Sequence, residues 1–183
     1  IGYIKLDRFA KTSMEEFETA LNELKAQKMK SLILDLRGNN GGFLNVAVEL
    51  SNQFLKNNMT IVYTEGDKSK KQIFKTDKNG SFADGKLVIL IDEGSASASE
   101  IVSGAIQDWD RGVLIGRRSF GKGLVQRPFN LPDGSVIRLT TARYYTPTGR
   151  CIQRSYEKGS EDYFNEMTKR MKHGEFYHSD SIQ

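Results

Sequence analysis

The sequence predicts an α/β domain, and three observations predict it. Short apolar runs with strand character alternate with segments whose apolar residues recur every three to four positions. Two of the apolar runs, residues 31–36 and 87–91, pass straight into glycine- or serine-rich turns that open helices. Strand, turn, helix in repeated order is the pattern of sheets layered on helices, with sites at the C-terminal ends of the strands.

Residues 2–8 alternate apolar and polar side chains as a half-buried strand does, and Thr12 or Ser13 with Glu15 or Glu16 three residues on resembles a capping box. Phe17, Ala20, Leu21 and Leu24 then mark a helix over residues 13–28 with one core-facing stripe. The run Ser31-Leu32-Ile33-Leu34-Asp35-Leu36 is apolar enough for a strand covered on both faces, and it stops at Arg37-Gly38-Asn39-Asn40-Gly41-Gly42. Val46, Ala47, Leu50, Phe54 and Leu55 carry a second helix to about Lys56. Residues 59–64 and 71–76 read as strands about Gly66-Asp67, and Asn79-Gly80 as a turn before the most apolar strand, 87–91. A helix over 99–109 follows, with Ile101, Val102, Ala105, Ile106 and Trp109 at helical intervals, then a strand at 113–116. Residues 124–129 and 135–145 read as a hairpin through Pro132-Asp133-Gly134. Beyond Pro147 the chain turns polar, and the segment 156–183 has room for one helix near 162–171 but lacks the apolar density of a core element.

At 183 residues, 38% hydrophobic and 27% charged, the chain has the length and composition of one globular domain with a sizeable core. No run of about 18 apolar residues is present, so no segment reads as a membrane span. The chain opens at Ile1 without Met, basic n-region or apolar h-region and reads as a fragment, so it speaks neither for nor against export. The net charge of +4 comes from short runs (Lys68, Lys70 and Lys71; Arg117 and Arg118; Lys169, Arg170 and Lys172) with no stacking aromatics between them. That distribution describes a solvated surface, with no nucleic acid as partner. One cysteine, Cys151, excludes an intrachain disulfide. The turn at 35–42 lacks phosphate-loop spacing, and no cluster with metal-ligand spacing occurs, so neither cofactor nor metal is expected.

The segment Gly94-Ser95-Ala96-Ser97-Ala98-Ser99-Glu100 carries the chemistry. Taken alone, small residues after a strand let a helix start close to a sheet and cap its free N–H groups. Its strand-turn-helix setting also puts a hydroxyl beside helix-start N–H groups, the arrangement that receives an oxyanion in acyl transfer. A serine hydroxyl needs a base, and the two histidines, His173 and His178, lie in the polar tail. Lys122, 25 residues after Ser97 in Phe120-Gly121-Lys122-Gly123, is the candidate. A lysine accepts a proton only when neutral, so this reading expects Lys122 to be buried among Phe120, Leu124 and Val125, with a depressed pKa. Oxyanion donors are expected at the backbone N–H of Ala98 and of Gly41 or Gly42, where glycine permits close approach. For Asp35 and Arg37 the bland alternative is a solvated turn in which the two pair with each other or with backbone. Ser119-Phe120-Gly121-Lys122 matches an S-x-x-K pattern, but glycines flank the lysine where that pattern needs a helix, and neither S-D-N nor K-T-G occurs, so Ser119 is read as structural.

Four motifs stand in order over residues 30–155: Asp-Leu-Arg-x-Asn-x-Gly-Gly, Ser-Ala-Ser-Ala-Ser-Glu, Ser-Phe-Gly-Lys-Gly-x-Val-Gln and Tyr-Tyr-Thr-Pro-x-Gly-Arg. Together they resemble the carboxy-terminal processing peptidases, or tail-specific proteases. The resemblance implies a crotonase-like α/β core with a small β subdomain, formed by residues 1–155, with 156–183 as an extension. It implies a nucleophile at Ser97, a general base at Lys122 and a glutamine, Gln126, that orients the lysine amine. It further implies cleavage of proteins near exposed C-termini through an acyl-enzyme, a PDZ domain elsewhere in the protein, and a place in the bacterial cell envelope or periplasm, members of the family being exported there or to the thylakoid lumen. The chain departs from the pattern at Asn40, where proline is common, and at Cys151, where serine is. The alternative function is a non-catalytic module that holds peptides or apolar ligands on the same core.

Overall fold

In the computed structural model, which describes residues 1–157 and 159–177, the two kinds of periodicity become two sheets and a set of helices. Contacts divide the chain into two units, Ile1–Gln153 and Arg154–Gln183. The first holds strands β1 (Gly2–Lys5), β2 (Ser31–Asp35), β3 (Thr60–Gly66), β4 (Ser69–Lys75), β5 (Lys86–Ile91), β6 (Val113–Gly116), β7 (Leu124–Asn130) and β8 (Val136–Tyr145). Its helices are α1 (Ser13–Ala26), α2 (Leu44–Asn52) and α3 (Ala98–Asp108). One sheet, β1-β2-β5-β6, is parallel, and the other, β4-β3-β8-β7, is antiparallel. The chain is thus a mixed α/β protein.

The core joins Ile4, Leu32, Leu34, Leu87 and Ile89 of the parallel sheet to Phe17 and Leu21 of α1, Val46 and Leu50 of α2, and Ile101, Val102 and Ile106 of α3. Cross-strand register puts Tyr3, Ile33, Val88 and Val113 together on the opposite face. There Tyr3 and Val113 are 53% and 59% exposed, and Ile115 of the neighbouring row 52%. This face is open at the edge strands and partly covered at Ile33 and Val88, which corrects the expectation of a β2 fully covered on both faces. Ile33, the apolar residue of β2 on this face, is only partly buried.

Two helix boundaries have local causes. Thr12 makes no side-chain cap at α1; the Ser13 hydroxyl instead accepts the Ala10 N–H (3.0 Å) and donates to the Arg8 carbonyl (2.9 Å), fixing the turn before the helix. Helix α2 ends at Asn52 rather than near Lys56: the Gln53 and Phe54 N–H groups bond three residues back, to Leu50 O and Ser51 O (both 3.1 Å), and the carbonyls that follow are taken from outside, Gln53 O by Phe82 N–H, Phe54 O by Arg111 Nε and Leu55 O by Gly80 N–H. Phe54 and Leu55 remain fully buried without being helical.

In the second unit, α4 (Gly159–Lys172) has Tyr163 stacked on Tyr156 with ring centroids 4.1 Å apart, and the Arg154 guanidinium over the Tyr163 ring. His178, one of the tail histidines, lies outside the described residues, as do position 158 and residues 179–183. No helix among the described residues is long and apolar enough to cross a membrane.

The end of β2 is fastened by a buried carboxylate. Asp35 accepts from the Tyr3 hydroxyl (2.7 Å), the Arg37 N–H (3.0 Å) and the Arg37 guanidinium at both oxygens (2.9 and 2.6 Å). Asp35 and Arg37 thus pair with each other and with backbone. The guanidinium, foremost, holds the Asp35 carboxyl well below the usual carboxylate range. A carboxyl with a depressed folded-state pKa contributes stability that is present above its unfolded pKa and lost as pH falls through the folded one. Asp35→Asn should cost about 1–2 kcal/mol at neutral pH by weakening this set. It should also flatten the loss of stability on acidification, as read from urea midpoints along a pH series; an unchanged acid slope would show that Asp35 does not set it.

Candidate active site

Because β2 and β5 pair in register, their exits leave the sheet side by side, and the Leu36 N–H continues the pairing onto Leu90 O at 2.9 Å. The two turns are then stitched together. The Ser95 hydroxyl donates to Leu36 O (2.8 Å) and the Ser99 hydroxyl to Asn39 O (2.8 Å), which also accepts the Ala96 N–H (3.0 Å). Asp92 Oδ1 accepts the Gly38 N–H at 2.8 Å. Ser95 and Ser99 are fully buried and act as fasteners between turns. Ser97 lies between them, half-buried.

Ser97 has φ 55° and ψ −109°, a combination that side-chain-bearing residues avoid. Such strain costs on the order of 1–3 kcal/mol and persists only where the surroundings over-determine it. It places Ser97 on a sharp strand-to-helix turn immediately before α3, as the nucleophile of a strained elbow is placed. The closeness of the other turn is part of this arrangement. A Cβ on Gly41, which has φ +101°, would stand 2.8 Å from Ser97 Cβ and 2.9 Å from Ala98 N. Only glycine fits there.

Glu100 holds Ser97 and the lysine loop together. Its carboxylate, 5% exposed, accepts the Ser97 N–H at Oε2 (2.8 Å) and the Lys122 N–H at the same oxygen (2.8 Å). The Gly121 N–H (2.6 Å) and the Ser119 hydroxyl (2.7 Å) donate to Oε1. The Ser97 and Lys122 backbone nitrogens thus share one acceptor atom and cannot lie farther apart than twice 2.8 Å. The Phe120 N–H donates to Ser95 O (2.9 Å), adding a further tie. Sequence reading missed Glu100. The signal available was the Ser97-x-x-Glu100 spacing of a capping box, which predicts the bond to Ser97 N–H and not the two to residues 121 and 122.

The remaining predicted residues are placed unevenly. Ser97 and Lys122 are brought together at their backbones, but the Lys122 side chain is exposed, which corrects the expectation that it is buried. Leu124 begins β7, and Val125 packs against the core rather than over the lysine. Gln126 sits at an irregularity in the β7 and β8 pairing, also exposed, and among the described residues no hydrogen bond joins it or Ser97 to the lysine amine. Ala98 begins α3, so its N–H stands at the helix start. Gly41 donates its N–H to Asn39 Oδ1 (2.9 Å), while Gly42 pairs through a single bridge with Phe9. Ser119 lies in a loop, in keeping with the glycines on either side of Lys122.

The Tyr-Tyr-Thr-Pro-x-Gly-Arg motif docks the exit of β8 on α3. Asp108, in the last turn of α3, accepts from the Thr148 N–H (2.9 Å), the Thr148 hydroxyl (2.6 Å) and Arg150. Burial acts to raise the Asp108 pKa, and the hydrogen bonds from the 146–150 turn more than reverse it. Gly104 leaves room for the contact, since a Cβ there would meet Thr146 Cγ2 at 2.8 Å.

Comparison with known proteins finds relatives over most of the chain. The model of peptidase family S41 matches residues 1–160. A carboxy-terminal-processing protease of Bartonella bacilliformis is 42% identical over 158 residues, covering 84% of this chain and 36% of that protein. A carboxyl-terminal-processing protease of Synechocystis is 43% identical over 148 residues, covering 80% and 34%. The structure of a photosystem II D1 C-terminal processing protease superposes with a TM-score of 0.77 at 36% identity, over 82% of this chain and 39% of that one. The chain thus spans about a third of the length of the curated relatives it matches.

Strain at Ser97 and its restraint by Glu100 are separable by equilibrium denaturation. Ser97→Gly should gain about 1 kcal/mol, because glycine adopts this backbone without strain. Glu100→Ala should lose about 3 kcal/mol or more, since it strands several buried donors. A destabilised Ser97→Gly would refute the strain, and a neutral Glu100→Ala the restraint.

Proposed function

The chain belongs to peptidase family S41, and from that premise we propose that it is the catalytic core of a serine endopeptidase that cleaves polypeptides near their C-termini. The observation that carries this reading is the Glu100 carboxylate, which binds the Ser97 N–H and the Lys122 N–H at one oxygen. Ser97 Oγ attacks the scissile carbonyl, and the carbonyl carbon becomes tetrahedral. Lys122 takes the hydroxyl proton and passes it to the leaving amine, so that an ester on Ser97 remains. Water, deprotonated by the same amine, then releases the acid and restores the serine. Gln126 orients the Lys122 amine. The Ala98 N–H faces the developing oxyanion; because the Gly41 N–H is already given to Asn39 Oδ1, the second donor assigned here is that of Gly42.

A lysine works as a base only when desolvated, and Lys122 is exposed in the free chain. The substrate backbone, lying over Ser97, supplies the cover, so the base is completed by binding. The fold reading that goes with this function is a crotonase-like core, supported by the order of the sheets and the helix that follows Ser97. Substrates are unfolded or partly folded proteins with free C-termini, a PDZ domain elsewhere in the protein captures those ends, and the bacterial cell envelope is the location.

The exposure of Lys122 also fits the alternative, a module that binds peptides without cutting them. Cleavage of a denatured protein decides between the two. Ser97→Ala and Lys122→Ala should each lower the rate by about 10³-fold or more while leaving the fold intact. Full activity in either variant removes the dyad, and binding without cleavage by the unmodified chain selects the module.

A further inference from the structure

Four consecutive amides run through the lysine loop, and backbone N–H groups away from water need partners. Those of Phe120, Gly121 and Lys122 are taken by Ser95 O and the two Glu100 oxygens, all within the serine segment. The fourth is different. The Gly123 N–H donates to Gln153 Oε1 at 2.9 Å, an acceptor 30 residues further along the chain.

The fit around Gly123 is close. Gly123 is buried, Gln153 is only 9% exposed, and a Cβ on Gly123 would stand 2.3 Å from Gln153 N and 2.8 Å from Ile152 C. The Gly123 carbonyl accepts the Tyr144 N–H at 2.7 Å, and the Ile152 N–H donates to Tyr144 O at 3.0 Å. Gly123 is therefore gripped at both its polar atoms by the strand β8 and the segment after it. Glu100 fixes the lysine loop to the serine, Tyr144 fixes it to β8, and Gln153 fixes it to the segment after β8.

We infer that Gln153 is a positioning residue for the Lys122 base: its side-chain oxygen, on the Gly123 N–H, sets the direction in which the Lys122 stem leaves the loop. The inference rests on the reading of Lys122 as the base. A four-carbon side chain magnifies a small rotation at its root, and displacement of a reacting group by about 1 Å can cost on the order of 10²-fold in rate. Gln153 holds the amide next to Lys122 and so reaches the base through the backbone of the loop.

The test compares Gln153→Leu, which removes the acceptor, with Gln153→Glu, which keeps an oxygen in the same place, in the 183-residue chain. Amide hydrogen exchange at Gly123 and Lys122 is measured by NMR, together with kcat and KM for a denatured protein substrate. Gln153→Leu should speed exchange at Gly123 and lower kcat roughly tenfold or more with KM within about twofold, and Gln153→Glu should restore both. If Gln153→Leu loses its cooperative unfolding transition, Gln153→Asn, which withdraws the amide by one methylene, takes its place with the same expectation. Unchanged exchange at Gly123 overturns the inference, and so does faster exchange with an unchanged kcat, a loss confined to KM, or failure of Gln153→Glu to rescue. Should the parent chain cleave nothing in a Ser97- and Lys122-dependent way, the catalytic role assigned to Gln153 falls with the dyad. The Gly123 exchange rates would then separate that failure from a misassigned contact.

Discussion

A single buried carboxylate, that of Glu100, carries the geometry on which everything else at the site depends. A charge removed from water is costly unless its lone pairs are filled, and here four donors fill them: two amides of the lysine loop, the serine's own amide and a hydroxyl. The start of α3 adds its positive dipole end, which favours an anion in the first turn. A neutral glutamine offers one accepting atom in place of two and brings donors of its own, so it cannot bind all four groups in this arrangement. The carboxylate thus joins two chain segments 19–22 residues apart into one hydrogen-bonded unit.

The strain at Ser97 makes sense within that unit. An outlying backbone conformation survives only if several contacts enforce it at once. Ser95 and Ser99 tie the flanking residues to the other turn, Gly41 closes the space beside Ser97, and Glu100 pins its N–H. The three serines therefore divide two tasks, with the outer pair giving their hydroxyls to backbone carbonyls and the middle one left on the bend. At the far end of α3 the Asp108 cluster anchors the turn after β8, so the helix that begins with Ala98 is held at both ends by carboxylates.

Much of this was legible in the sequence, because the features concerned are local. Strand and helix positions follow from periodicity, and the placement of Ser97 between a buried strand and an amphipathic helix follows from the run 87–106. Long-range features were not legible. The capping-box spacing points to the first of the Glu100 bonds, but residues 121 and 122 reach the same carboxylate only because the chain returns through β6. Apolar neighbours suggested a dry lysine, whereas the loop bends at Gly121 (φ +84°) and Lys122 is exposed. The apolar run of β2 likewise records one fully buried row and one only partly covered at Ser31 and Ile33, a difference that composition does not encode.

The relation between exposure and basicity decides the account. A lysine that stands in water before substrate arrives must lose that water when the peptide docks, or it takes no proton from the serine. The most direct measurement is a crystal structure with a peptide boronate joined to Ser97 Oγ. The account predicts the Lys122 amine covered by the peptide and about 2.6–3.2 Å from Ser97 Oγ, with Glu100 still accepting from both backbones. A Lys122 amine that stays in solvent, out of reach of the serine in that adduct, would contradict it.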